Sequence, residues 1–116
     1  MSSDKAFLRR LYERFNAREM EAVLADLHPD VIWANGMEGG HEHGRDAVRA
    51  YWTRQWAMIN PRVDPISFSR TPEGADAVEV HQVVHDLNGN LLVDLMVGHI
   101  FQIEGGLVRR FDIRGA

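Results

Sequence analysis

No cysteine occurs among these 116 residues. Disulfide frameworks, thiol nucleophiles and cysteine-built zinc sites are therefore excluded. A surplus of one charge is missing too. The net charge is −4 with acids and bases mixed along the chain, so there is no basic stripe for nucleic acid. No apolar run approaches a membrane span. The opening MSSDKAFLRR holds no apolar signal core. These absences lead to the expectation of a soluble cytoplasmic protein with neither nucleic acid nor membrane as partner. The length suits one domain spanning 1–116, which can bury about two thirds of the surface its unfolded chain exposes.

What is present is a change of period. Ser2, Ser3 and Asp4 offer a helix N-cap. Phe7, Leu8, Leu11, Tyr12 and Phe15 then form one helical stripe, with Arg9, Arg10, Glu13 and Arg14 on the solvent side. Met20, Val23, Leu24 and Leu27 predict a second, shorter helix, closed by His28-Pro29-Asp30. Val31 to Trp33 predicts a strand, and Gly36, Gly39 and Gly40 a loop. Val48, Trp52, Trp56 and Ile59 stripe a third helix that Pro61 stops. After Pro61 the pattern alternates: strands are predicted around Val63–Phe68, Ala77–His85, Leu91–Ile103 and Leu107–Ile113. Helices first and an antiparallel meander second is the α+β class. About three N-terminal helices should cover one curved antiparallel sheet.

Register follows from the turn. Asn88-Gly89, read as a two-residue hairpin turn, pairs Val84 with Val93, Gln82 with Leu95, Val80 with Val97 and Val78 with His99. One face is then apolar apart from Gln82 and His99, whereas a one-residue slip would mix every pair. The opposite face, with Val83, His85, Leu92 and Met96, is mixed and suits a homodimer interface. At the last hairpin two readings stand. A two-residue Gly105-Gly106 turn sets Asp112 across from His99 as an oriented His–carboxylate pair. A three-residue loop sets Phe111 there, which the alternation of Leu107, Phe111 and Ile113 favours.

The stretches FLRRLYERFNAREMEAVLADLHPDVIW, GRDAVRAYW and HIFQIEGGLVRRFDI resemble the nuclear transport factor 2-like superfamily, which holds ketosteroid isomerases and SnoaL-type polyketide cyclases. The resemblance spans essentially the whole chain. It implies a cone-shaped curved sheet around a deep apolar pocket closed by helices, usually in a homodimer. Ketosteroid isomerases use an Asp base with a Tyr and a protonated Asp as oxyanion donors. Aligned here, those positions fall at Asn35, Leu11 and His99. A leucine and an amide cannot do that work, which argues against steroid isomerisation.

His99 is the candidate catalytic group, since imidazole exchanges protons near neutral pH; a buried structural histidine is the bland alternative. Trp33, Asn35, Trp52, Gln82, Phe101 and Phe111 are the expected ligand contacts. Asn35 either orients a ligand oxygen or caps its own loop. His41-Glu42-His43 suggests a metal to the eye, but no third ligand is fixed by spacing, so a solvated loop is preferred. Arg109-Arg110 reads as a solvated strand face, with Arg109 able to turn inward. No metal and no cofactor are expected. The first reading is a small-molecule-binding protein with metal-free acid–base chemistry (isomerase, cyclase, dehydratase or hydrolase) on a small, apolar, oxygenated ligand. The alternative is a non-catalytic ligand-binding or dimerisation module that lacks the general base.

Overall fold

The computed structural model describes residues 2–114, with side chains from residue 4 onward. The capping hydroxyls of Ser2 and Ser3 lie outside the described side chains, while Asp4 stands in the first turn of the first helix. Three helices come early: α1 (Ser2–Asn16), α2 (Met20–Ala25) and α3 (Arg45–Met58). The strands are β1 (Leu27–Ala34), β2 (His41–His43), β3 (Ile59–Arg70), β4 (Asp76–Asp86), β5 (Leu91–Glu104) and β6 (Leu107–Arg114). The class is α+β, with the helices against one face of a curved, unclosed sheet of order β2-β1-β6-β5-β4-β3. No described helix is long and apolar enough to cross a membrane.

The meander β3 to β6 is antiparallel throughout. β1 departs from that pattern, running parallel to β6. A parallel neighbour needs a long crossover, and here everything from β2 to β5 supplies it. β2 is a short edge strand where the sequence suggests only loop. α2 ends at Ala25 and Leu27 opens β1, so Pro29 falls inside a strand. It is tolerated because the ladder is interrupted there. Leu27 pairs with Val108 and Ile32 with Arg110, so residues 28–31 arch over position 109 alone. Ile59 likewise leaves the α3 stripe and opens β3.

The expected β4–β5 register is present: Val84 with Val93, Gln82 with Leu95, Val80 with Val97 and Val78 with His99. Its cause differs from the two-residue turn. Asp86 accepts from the Gly89 N–H and donates to the Asn90 carbonyl, making Leu87-Asn88-Gly89 a three-residue loop. His85 then pairs with Leu91, and the extra residue Leu92 restores the register beyond it. At the last hairpin Glu104 does pair with Leu107 across Gly105-Gly106, whose positive φ angles suit a two-residue turn. A bulge at Arg109 then shifts β6 by one residue, and Ile113 faces His99. Neither Asp112 nor Phe111 lies directly opposite.

β3 forms the far edge of the sheet. Pro61 and Pro65 are tolerated there because an edge strand can spare N–H groups. The end of α1 covers part of the same edge. Asn16 donates to the Val63 carbonyl at 2.8 Å and accepts from the Val63 N–H at 3.0 Å. Arg18 donates to the Pro61 carbonyl. The core lies between helices and concave face, built from Leu8, Leu24, Trp52, Val78, Val80 and Phe101 among others.

Candidate functional site

The concave face carries the site because strand period and helix stripe meet there. Trp33 on β1 pairs with Phe111 on β6, which pairs with Phe101 on β5. Register neighbours on one face are ring neighbours: Trp33 stacks on Phe111 at 4.1 Å between centroids, and Phe111 lies 5.1 Å from Phe101. From α3, Trp52 meets Trp33 edge-on at 5.3 Å. Such pairs add about 0.5–1.5 kcal/mol each beyond area burial.

Within this aromatic shell is a cavity of about 370 Å³. That is within the usual range for small-molecule sites. Trp33, Trp52, Gln82, His99, Phe101 and Phe111 all line it. Among the described lining residues none is Asp, Glu, Lys or Arg. Its mouth is apolar: Met37, Leu92 and Ile113 line it while remaining substantially exposed.

His99 is 7 % exposed, and its Nδ1 lies 2.7 Å from the Tyr12 hydroxyl. The planes of the two rings are within 7° of parallel, with centroids 5.9 Å apart. Burial lowers the imidazole pKa from 6.5 to about 4, because charging it would cost solvation that nothing nearby replaces. Burial likewise pushes the Tyr12 phenol well above its ordinary range. Both groups are neutral at pH 7.

Asn35 departs from the expected arrangement. Its Oδ1 accepts from the backbone N–H of Met37 and Glu38, and its Nδ2 donates to Glu38 and Glu42. All four hydrogen-bonding positions are spent on the loop after β1 and on Glu42 of β2, and Asn35 is not among the residues lining the cavity. It is the loop cap of the two readings. Asp112 is on the convex face, where it accepts from Arg110 and meets His41 at 2.8 Å. Glu42 turns to Asn35 instead, and among the described residues no three His, Asp or Glu converge as a metal ligand set. Arg109, the bulged residue, donates to the Asp30 carbonyl at the surface.

Two tyrosines line the cavity beside the expected contacts. Tyr12 sits in the α1 stripe and reads as core; the family alignment puts the isomerase tyrosine one residue earlier, at Leu11, which also lines the cavity. A signal was available, since a buried tyrosine hydroxyl needs a partner and the inner face offers few. Tyr51 lines the cavity from α3, and its hydroxyl accepts from the Gly36 N–H and from Gln55 at 3.2 Å each. The Gln55 Oε1 and Trp56 Nε1 are buried without a partner among the described residues.

Comparison with known proteins places this geometry. Residues 8–111 match the SnoaL-like domain family. A crystal structure of a nuclear transport factor 2-like protein of unknown function from Burkholderia pseudomallei K96243 is 31 % identical, with a TM-score of 0.85 over 100 % of this chain and 92 % of that one. TerC, co-crystallised with polyporic acid, is 23 % identical with a TM-score of 0.83, over 100 % and 92 % of the two chains. A candidate polyketide cyclase of Xanthomonas campestris pv. campestris is 25 % identical with a TM-score of 0.77, over 97 % and 89 %. No curated protein matches the chain.

Proposed function

We propose that this chain, which belongs to the SnoaL-like domain family, binds a flat, apolar, oxygenated small molecule and acts on its carbonyl group by metal-free acid–base chemistry. One observation carries the reading: a neutral His99, held by Tyr12, opens on a cavity of about 370 Å³ whose described lining bears no carboxylate or cationic side chain. Aromatic walls favour a planar ligand. A few polar groups in an apolar cavity fix its orientation. An imidazole against a carbonyl oxygen polarises it and makes the neighbouring C–H bonds more acidic, the opening step of isomerisation and of aldol-type ring closure. The candidate polyketide cyclase among the solved relatives lends support to ring closure.

A second reading, a ligand-binding module without catalysis, is favoured by one fact. No carboxylate base lines the cavity among the described residues. One experiment separates the two. The ketone 2-tetralone is incubated with the protein in heavy water, and hydrogen exchange beside its carbonyl is followed by proton NMR. Acceleration that disappears in His99→Leu supports the enzyme reading. Saturable quenching of Trp33 and Trp52 fluorescence by the same ketone, without acceleration, leaves the binding module.

A further inference from the structure

We infer that Tyr12 is a positioning residue that locks His99 in the Nε2–H tautomer, so that the cavity offers a hydrogen-bond donor and selects ligands with an acceptor oxygen there (a ketone, quinone or enolate) over ligands offering O–H or N–H. The inference deepens the proposed function and rests on His99 meeting the ligand.

A neutral imidazole has one donor nitrogen and one acceptor nitrogen, and the hydrogen bond at one decides the role of the other. At Nδ1 the partner is the Tyr12 hydroxyl, 2.7 Å away. Two proton placements fit that distance. In the first, the phenol donates to Nδ1 and Nε2 carries the ring proton. In the second, Nδ1–H donates to the phenol oxygen, and the phenol proton must find another acceptor. Among the described residues no other group hydrogen-bonds the Tyr12 hydroxyl, and the side chain is buried. The second placement leaves the phenol proton without a protein acceptor among the described residues, which buried hydroxyls avoid. The first leaves every proton of the pair used or facing the cavity.

Nε2 is the group the ligand meets. It has no hydrogen-bond partner among the described residues, and His99 lines the cavity. The other polar side chain of the inner sheet, Gln82, carries a donor and an acceptor on one amide and does not bias the choice. The bias thus comes from a residue on α1 that need not touch the ligand's polar atom. Protonation does not blur it, since the imidazole stays neutral well below pH 7.

The test uses two rigid three-ring probes of nearly one shape. Fluorenone presents only an acceptor oxygen, and carbazole only a donor N–H. Binding is read by tryptophan fluorescence for wild type, Tyr12→Phe and His81→Ala, a variant on the opposite face. The His99 tautomer is read separately by nitrogen-15 NMR of the unliganded protein. The wild type should show Nε2–H and favour fluorenone by about tenfold or more. Tyr12→Phe should lose that preference and shift the His99 nitrogen signals towards the Nδ1–H form, while His81→Ala should match wild type. An Nδ1–H signal in the wild type overturns the inference, as does a fluorenone preference that survives in Tyr12→Phe. If neither probe binds, the small-molecule reading fails, and the tautomer measurement still decides the role of Tyr12.

Discussion

Two histidines on opposite faces of the same sheet make hydrogen bonds of the same length and of very different consequence. On the concave face His99 meets the Tyr12 hydroxyl at 2.7 Å inside an aromatic shell. On the convex face His81 meets the Asp94 carboxylate at 2.7 Å, with side chains 41 % and 53 % exposed. Inside, the partner is neutral, charging is opposed by burial, and the bond fixes which nitrogen holds the proton. Outside, the partner is charged and water competes for both ends. Distance alone says little about what a hydrogen bond does; the surroundings decide.

Mutations should widen that contrast. Phe101 lies beneath His99 and touches Tyr12, Trp33 and Phe111. Phe101→Ala should cost about 3–5 kcal/mol in urea unfolding, as expected where a large buried ring leaves a cavity. The next effect is pH-dependent. With a folded pKa of about 4 against an ordinary 6.5, His99 takes up its proton in the unfolded chain first. Stability should therefore fall as pH drops from about 6.5 towards 4, by a total on the order of 3 kcal/mol, and be complete above that window. The difference between unfolding curves of wild type and His99→Leu isolates this loss; a flat difference would mean that the imidazole is not held neutral. On the convex face Asp94→Ala should cost less than about 1 kcal/mol, and salt should shrink even that.

The same contrast shows which features the sequence disclosed. The apolar alternation of β4 and β5 placed Gln82 and His99 on the inner face, because a slip would have exposed a whole row of valines. The turns were less legible. A three-residue loop plus a bulge at Leu92 yields the pairing that a two-residue turn would have yielded alone. A bulge at Arg109 moved Asp112 to the other face. Bulges arise from tertiary fit and leave almost no local signature. Asn35 leaves two readings open in the sequence, ligand contact and loop cap, and the structure shows the cap. Tyr12 reads as core from its helical stripe, which gives no sign that His99 is the partner its hydroxyl finds in the fold.

The convex face also bears on assembly. Val83 and Met96 lie there beside the His81–Asp94 pair, with Met96 exposed, while Leu92 has turned to the cavity mouth at its bulge. We propose that this face joins two copies of the chain, burying on the order of 1,200 Å² or more. Light scattering should then report twice the chain mass, and Met96→Glu should return it to that of one chain without altering fluorenone binding. A single-chain mass for the wild type at micromolar concentration would remove the homodimer.

The edges of the sheet bear on how such copies can meet. A free strand edge is a template on which another chain's backbone can continue the ladder, the usual route to swapped and fibrous aggregates. Here one edge is a three-residue strand. The other is broken by two prolines and covered at Val63 by Asn16 at the end of the first helix and at Pro61 by Arg18 just beyond it. A strand arriving at either edge finds few groups to pair with. Association is thereby steered to the sheet face, where side chains rather than peptide groups choose the partner, and a crowded cell gains little purchase for backbone-driven misassembly.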